Sequence, residues 1–158
     1  DNFVFSDTVR HNIVLGEEQD DIRLKTAIHT ACLEDYIEGQ PLGVETKIGS
    51  EGIGISGGEK QRMMIARAVY KEPQYLMLDE ATSSLDAENE QRITENLDKH
   101  FEGRTRIVIA HRLSTVKNAD NIIVLRHGEV VEQGTHTELV AKKGYYYELI
   151  HNQLELAN

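Results

Sequence analysis

Two adjacent carboxylates, Asp79 and Glu80, directly follow an apolar run at residues 75–78. Such a run predicts a buried strand, and the carboxyl end of a strand in an open α/β sheet faces the ligand crevice. Paired acids there suit phosphoryl transfer, in which one carboxylate serves Mg²⁺ and the other orients or deprotonates the attacking water. Acids at strand ends are also common as solvated or capping groups, so the pair alone does not decide the chemistry.

A glycine-rich loop enters a predicted helix at Ser56, Gly57 and Gly58. The backbone N–H groups at a helix start point toward one spot, and the helix dipole favours an anion there. A simpler interpretation is that Ser56 and Glu59 form a capping box, with the glycines as turn residues. From these residues alone both interpretations stay open.

Two more polar residues lie where a predicted element begins or ends. Asp86 follows a turn at Ser84 and Leu85 and predicts the N-cap of a helix. His111 follows the apolar run at residues 107–110, where an imidazole can reach a γ-phosphate. A lone histidine more often has a structural role, so this residue is not diagnostic by itself.

The elements that must position these residues begin with a mainly helical part. The spacing of apolar residues predicts the first two helices, and a third ends because Pro73 cannot donate a backbone hydrogen bond. Clustered glycines between the second and third helices indicate a long loop. The predicted helices are residues 8–15, 20–33 and 58–71, and the loop is residues 41–58.

The second part of the chain alternates strands with helices. Strands are predicted at residues 75–78, 106–110, 121–125 and 129–132, and helices at residues 86–101 and 114–118. A turn at His127 and Gly128 joins the last two strands, and two closing helices follow, the first capped by Thr135 with Glu138. This alternation implies an α/β fold with a mostly parallel sheet covered by helices.

Length and composition limit the possible classes of protein. A chain of 158 residues, 39% of them hydrophobic, fits one domain, and its only cysteine, Cys32, favours a reducing compartment. The net charge of −10 argues against nucleic acid as a partner. Apolar runs of about four residues are far shorter than the roughly 20 that a membrane-spanning helix needs. The first residues show no leader pattern, and we expect them to continue a preceding segment.

In their order and spacing, these motifs resemble those of the ATP-binding-cassette (ABC) ATPases. Residues 55–59 are similar to the ABC signature motif, residues 78–80 to the end of the Walker B strand, residues 84–86 to the D-loop, and His111 to the switch histidine. The resemblance covers essentially the whole chain, and residues 1–5 look like the segment just after the Q-loop glutamine. Residues 46–52, 110–115 and 132–136 are similar to exporter sequences, most of all to peptide or bacteriocin exporters.

The resemblance implies a P-loop NTPase-like α/β fold, truncated at the N-terminus, with a small helical subdomain. Residues 1–50 then form part of that subdomain and its loop, and residues 51–158 form the signature helix and the C-terminal part of the core. It also implies an ATP-hydrolysing component of an exporter, at the cytoplasmic face of the cell membrane. The expected partners are a transmembrane domain and a second nucleotide-binding domain, with no nucleic acid.

The resemblance further implies a head-to-tail dimer with ATP and Mg²⁺ between its two domains. Asp79 then serves the Mg²⁺ shell, Glu80 polarises the attacking water, and His111 contacts the γ-phosphate. The signature residues of one domain complete the γ-phosphate site of the other, and the D-loop aspartate couples the two sites. These nucleotide-site residues are Ser56, Gly57, Gly58, Glu59 and Asp86.

The chain departs from the family pattern in two ways. The usual signature is Leu-Ser-Gly-Gly-Gln, whereas Ile55 and Glu59 stand at its ends here, and a capping-box role explains the glutamate. No glycine is followed by lysine, so the sequence contains no Gly-x-x-x-x-Gly-Lys-Ser/Thr phosphate loop. We therefore expect the isolated chain neither to bind nor to hydrolyse ATP appreciably, and to self-associate through an uncovered sheet edge or face.

Three other interpretations compete with the transport ATPase. Gly52, Gly54 and Gly57 match the Gly-x-Gly-x-x-Gly of a dinucleotide-binding oxidoreductase, with Asp79 near the position of its ribose-binding acid. The charged residues 45–51 precede them instead of a buried strand, which argues against it. An ABC-type ATPase of chromosome structure or DNA repair is expected to show heptads and basic patches, which the sequence lacks. The third interpretation, a non-enzymatic role of the chain in dimerisation or regulation, is not excluded by the sequence.

Overall fold

The computed structural model describes residues 3–50, 52–79, 81, 84–109 and 116–156. The chain divides into two compact units, residues 1–107 and residues 108–158. Helices and strands occur in both units, as the predicted α/β class requires. Within the described ranges, no helix combines the length and the apolar character needed to cross a membrane.

The first unit is mainly helical, with two short pairs of strands. Its helices are α1 (Val9–Val14), α2 (Asp21–Thr30), α3 (Glu34–Glu38), α4 (Gly57–Tyr70) and α5 (Ala87–His100), with a 3₁₀ turn at Gly43–Glu45. Its strands are β1 (Asp7–Thr8), β2 (Lys47–Ile48), β3 (Tyr75–Asp79) and the first part of β4 (Thr105–Ile109). β1 pairs antiparallel with β2, and β3 lies beside β4.

The first two helices are capped by the residues at which their predicted ranges begin, Thr8 and Asp20. The Thr8 side chain accepts a hydrogen bond from the backbone N–H of His11 at the start of α1. The Asp20 carboxylate accepts hydrogen bonds from the N–H groups of Ile22 and Arg23 at the start of α2. These bonds satisfy backbone donors that have no acceptor inside the helix.

α2 ends at Thr30, earlier than predicted, because the chain turns there in a Schellman arrangement. Cys32 adopts a left-handed backbone angle, with φ at 52°. Its N–H bonds back to the His29 carbonyl, and the N–H of Leu33 bonds back to the Ile28 carbonyl. Glycine usually occupies this position, so the sequence pattern gave no stop signal before α3.

α4 is the central helix of the first unit and fixes the position of the residues at its start. It packs against α1 and α2 and buries Met63 and Val69, each such side chain contributing about 1.5–3 kcal/mol. Arg67 donates hydrogen bonds to the backbone carbonyls of Asn12 and Phe3, at 2.8 and 3.2 Å. Contacts along its length therefore hold α4 in one orientation.

The predicted loop at residues 41–58 contains short elements that the sequence did not indicate. The 3₁₀ turn lies in it, and β2 pairs with β1 so that Ile48 is fully buried. The hydroxyl oxygens of Ser6 and Ser50 are 2.7 Å apart. The loop is thus tied to the segment that precedes α1.

β3 is only half buried, whereas its sequence predicts a fully buried strand. Leu76 lies in the core, but Tyr75 and Met77 are 67% and 71% exposed. Successive side chains of a strand point to opposite faces, so Tyr75 and Met77 share the face that Leu76 does not. In the neighbouring β4, Ile107 is exposed as well. The described strands stand in three two-stranded sheets, so the described part of the predicted sheet is not continuous.

The second unit is a β-hairpin with two helices. Its elements are β5 (Ile122–Arg126), β6 (Glu129–Gly134), α6 (His136–Lys142) and α7 (Tyr145–Leu156). The predicted turn is confirmed, because His127 and Gly128 have φ angles of 52° and 82°, as a tight hairpin turn requires. Of the helix predicted at residues 114–118, residues 114 and 115 lie outside the described residues, and the described part is helical at residue 116 and a turn at residues 117 and 118.

The hairpin packs against α6 and α7 through a small core. Ile122 and Val124 of β5 contact Leu139 and Tyr146 of the two helices. Thr135 and Glu138 form the predicted capping box, so α6 also begins where the sequence predicts.

Candidate functional site

The N-terminus of α4 is shaped by a capping box. The Ser56 Oγ accepts a hydrogen bond from the Glu59 N–H at 3.2 Å, and the Glu59 Oε2 accepts one from the Ser56 N–H at 2.7 Å. The predicted capping box is therefore confirmed, whereas Gly57 and Gly58 are the first two residues of α4 and not turn residues. The box also accounts for glutamate in place of the usual glutamine, since either side chain can close a capping box.

The capping box leaves room for a second role of the two glycines. By helix geometry, the N–H groups of Gly57 and Gly58 have no acceptor within the helix. A Cβ atom on Gly57 would meet no atom within 4 Å, and its φ is not in the left-handed region. Neither its backbone angle nor packing among the described residues requires glycine there. A glycine at such a place permits another molecule to approach the backbone closely.

Gly58 faces the segment of residues 84–86 within the same unit. A Cβ atom on Gly58 would lie 3.5 Å from the Ser84 carbonyl oxygen and 3.6 Å from the Leu85 Cδ2 atom. Leu85 is buried and belongs to the core of the first unit. The structure therefore brings the signature-like and D-loop-like motifs into contact.

Gln61, which the sequence analysis did not single out, joins these two motifs. Its side chain is 7% exposed, and its Oε1 accepts a hydrogen bond from the Ser84 N–H at 2.9 Å. One sequence signal was available. Gln61 stands at helical spacing from the buried residues Ile65 and Val69, so it is a polar residue on the apolar side of α4.

Asp86 caps α5, as predicted. Its Oδ1 accepts a hydrogen bond from the Asn89 backbone N–H at 2.9 Å, and its Oδ2 accepts one from the Asn89 side-chain amide at 2.7 Å. The backbone bond, followed by the side-chain bond, lowers the pKa of Asp86 below its ordinary value. The carboxylate is therefore ionised at neutral pH, and its position is fixed relative to α5.

Asp79 is the last residue of β3, and its side chain is exposed. The other predicted catalytic residues, Glu80 and His111, lie outside the described residues. Mg²⁺ is usually bound by one or two protein carboxylates together with substrate phosphates and waters. The described ranges hold no cluster of three or more His, Cys, Asp or Glu side chains. The exposed carboxylate of Asp79 at the end of β3 can supply one such ligand.

The dinucleotide-binding interpretation does not fit the glycines before α4. The strand that precedes Gly52 is the two-residue β2, which pairs antiparallel with β1. A Cβ atom on Gly52 would lie 2.4 Å from the Lys47 carbonyl oxygen, and Gly49 has a φ of 97°. Gly52 and Gly49 therefore serve a tight turn, not the close approach of a pyrophosphate.

A family profile described as ABC transporter matches residues 2–83, just over half of the chain. The chain belongs to the ABC transporter family. The matched range includes residues 55–59 and 78–80 of this ABC chain, which carry the resemblance seen in the sequence.

Relatives of this ABC chain include transporters from bacteria and fungi. The ATP-dependent lipid A-core flippase of Cupriavidus metallidurans is 49% identical over 150 residues, which are 92% of this chain and 25% of the flippase. The ABC multidrug transporter mdr1 of Aspergillus fumigatus is 46% identical over 153 residues, which are 95% of this chain and 11% of that transporter. The chain thus spans a quarter or less of the length of these relatives.

A solved structure confirms the ABC fold. The chain superposes on a bacterial Atm1-family ABC exporter with ATP bound, with a TM-score of 0.87 and 40% sequence identity. The match covers 95% of this chain and 26% of that exporter chain. The narrower similarity to peptide or bacteriocin exporters stays a prediction.

Proposed function

We propose that this chain is part of the ATP-hydrolysing domain of an ABC exporter, and that it works in a head-to-tail dimer with a second such domain. The observation that carries the proposal is the contact between the start of α4 and the segment of residues 84–86. A Cβ atom on Gly57 would meet no described atom within 4 Å, and a Cβ atom on Gly58 would lie 3.5 Å from the Ser84 carbonyl oxygen. Relatives named as an ATP-dependent flippase, a multidrug transporter and an ABC exporter support a transport ATPase.

The start of α4 is suited to the terminal phosphate of a nucleotide held mainly by the other domain. The N–H groups of Gly57 and Gly58 and the positive end of the helix dipole favour an anion. Ser56 and Glu59 hold that turn in shape through the capping box. An anion approaching Gly57 meets no side chain on that residue.

We assign the hydrolytic chemistry to the end of β3 and to the histidine after β4. Asp79 is to share the Mg²⁺ ion with the nucleotide phosphates, and Glu80 is to orient or deprotonate the attacking water. His111 is to contact the γ-phosphate and help to align Glu80. Asp86, held at the start of α5, is to couple the two sites across the dimer.

The proposed partners are a second nucleotide-binding domain and a transmembrane domain at the cytoplasmic face of the membrane. Binding of ATP then closes the dimer, hydrolysis reopens it, and the attached transmembrane segments follow. Relatives named as a lipid flippase and a multidrug transporter support an exporter over a DNA-repair ATPase. The acidic net charge of −10 agrees with that choice.

Glu80→Gln in the full-length protein that contains this chain tests the proposal. The substitution keeps size and hydrogen bonding but removes the charge, so general-base assistance of about 10²- to 10⁴-fold is lost. We expect turnover to fall by that factor while ATP binding persists and the closed dimer accumulates. Steady-state ATPase assays and nucleotide-dependent dimerisation measure the two effects.

Glu95→Gln is the matched control, since Glu95 is an exposed residue of α5 that bonds only to Gln91 among the contacts described. It should leave turnover unchanged. Asp79→Asn should differ from Glu80→Gln by weakening nucleotide binding as well as turnover. Near-normal turnover in Glu80→Gln would contradict the assignment and move the base role to His111.

A further inference from the structure

We propose that Gln61 is a positioning residue that locks the start of α4 and the segment of residues 84–86 into one block. The inference deepens the proposed function and rests on it. Its structural basis is the hydrogen bond that the Gln61 Oε1 accepts from the Ser84 N–H at 2.9 Å. The two motifs it joins are the ones proposed to face the nucleotide of the partner domain.

The side chain that accepts the hydrogen bond from the Ser84 N–H is buried. Gln61 is 7% exposed although it carries a polar amide, and it shares the buried side of α4 with Ile65 and Val69. Burial of an amide costs free energy unless its polar atoms are bonded. A bonded polar group on an apolar helix side therefore specifies geometry that an aliphatic residue of similar size does not.

The segment of residues 84–86 is held at three successive points. The Ser84 N–H is bound by Gln61, the Leu85 side chain is 6% exposed in the core, and Asp86 is bonded to Asn89 at the start of α5. The bond to Gln61 is the one of the three that ties the segment to α4 by a directional contact.

The other end of the block is equally fixed. Ser56 and Glu59 close the capping box, and Gly58 brings the helix backbone against Ser84 and Leu85. Gln61 lies one turn into the same helix, so its hydrogen bond fixes the Ser84 backbone relative to the first turn of α4. The two motifs then approach a partner-held nucleotide as a single surface instead of adjusting separately.

The test compares two substitutions in the full-length protein. Gln61→Met keeps the length and approximate volume of the side chain but removes the oxygen acceptor. Gln61→Glu keeps an oxygen acceptor in both its ionised and its neutral form. Misplacement of about 1 Å can cost up to about 100-fold in rate, so we expect Gln61→Met to lower kcat by about 10- to 100-fold. ATP affinity should stay unchanged, because the other domain of the proposed dimer holds most of the nucleotide.

A direct readout accompanies the kinetics. Hydrogen exchange at the Ser84 amide should quicken in Gln61→Met and stay slow in Gln61→Glu, which should also recover most of kcat. Asn96→Leu is the matched control, because Asn96 donates from α5 to the carbonyls of His29 and Thr30, away from the two motifs. It should lower the unfolding temperature without changing kcat or Ser84 exchange.

The outcomes separate the inference from the proposed function. If Glu80→Gln abolishes turnover while Gln61→Met hydrolyses ATP like the wild type, the role of Gln61 is refuted and the proposed function stands. If Gln61→Met and Asn96→Leu lose turnover only in proportion to their lost stability, Gln61 has a structural role alone. If the wild-type protein hydrolyses no ATP, the proposed function itself fails, and Ser84 exchange still decides whether the bond holds the segment.

Discussion

Gly57 and Gly52 lie close together in the sequence but are glycines for different physical reasons. A side chain on Gly57 would meet open space, whereas a Cβ on Gly52 would overlap the Lys47 carbonyl oxygen at 2.4 Å. Gly52 is thus required by the fold of this chain. Among the described residues nothing requires glycine at position 57, and in the proposed dimer the partner's nucleotide approaches there.

The contrast gives a prediction at the residue scale. Gly57→Ala should leave the chain as stable as the wild type or up to about 1 kcal/mol more stable, since alanine favours the helix and meets no neighbour. Gly52→Ala should cost about 1–3 kcal/mol through the overlap. Denaturant unfolding of the 158-residue chain measures both.

In the ATPase assay of the full-length protein, Gly57→Ala should be harmful although it does not destabilise the chain. A methyl group at position 57 enters the space assigned to the phosphate, so Gly57→Ala should lose most of its turnover without losing stability. Unchanged turnover in a stable Gly57→Ala protein would argue against the proposed phosphate position.

At the scale of elements, helix starts are fixed by short-range hydrogen bonds, and those bonds that involve a carboxylate also respond to pH. At the start of α6, the Glu138 Oε2 accepts hydrogen bonds from the Thr135 N–H and hydroxyl, at 2.8 and 3.0 Å. The bond from the Thr135 backbone, then that from its side chain, lowers the pKa of Glu138. The charged form is therefore favoured by folding.

A lowered folded-state pKa gives stability that is complete above the unfolded value of about 4.3 and is lost as pH falls through the folded value. Between pH 6 and 3, the unfolding temperature of the wild type should therefore fall more than that of Glu138→Gln, which keeps the capping box uncharged. Glu148→Gln, an exposed residue of α7, should follow the wild type. Parallel curves for the wild type and Glu138→Gln would show that the capping bond contributes nothing to acid sensitivity.

At the scale of the whole molecule, the exposed apolar side chains of β3 and β4 stand out. Tyr75, Met77 and Ile107 form what we call the strand face, and large exposed apolar patches favour association. The named relatives are about four times as long as this chain or longer, so further polypeptide is available in them to cover such a face. In the isolated chain, a second copy of the chain is the molecule available to cover the strand face.

We therefore expect the isolated chain to self-associate, and Met77→Lys to raise the monomer fraction without lowering the unfolding temperature. Sedimentation velocity over a range of concentrations measures the change. Gln91→Lys adds the same charge at an exposed position of α5 and should leave association unaltered. A wild-type chain that stays monomeric at high concentration, with one cooperative unfolding transition, would contradict the prediction.

The sequence by itself determined the local features of this protein. Asp86 and Thr135 were predicted as helix caps from the sequence, and each does bond to a backbone N–H within about three residues along the chain. The hairpin turn at His127 and Gly128 is local in the same sense. The order of the short motifs likewise sufficed to indicate the ABC family, since that order is a property of the chain alone.

Only the tertiary structure decided which distant residues meet and which faces are covered. The bond between Gln61 and Ser84 depends on how α4 packs against the core, which no pattern within α4 specifies. The exposure of Met77 likewise depends on which elements pack against β3. Its apolar run alone is typical of a buried strand. Packing sums weak contacts over many residues far apart in the chain, so a residue's neighbours are set by the whole arrangement and not by its own segment.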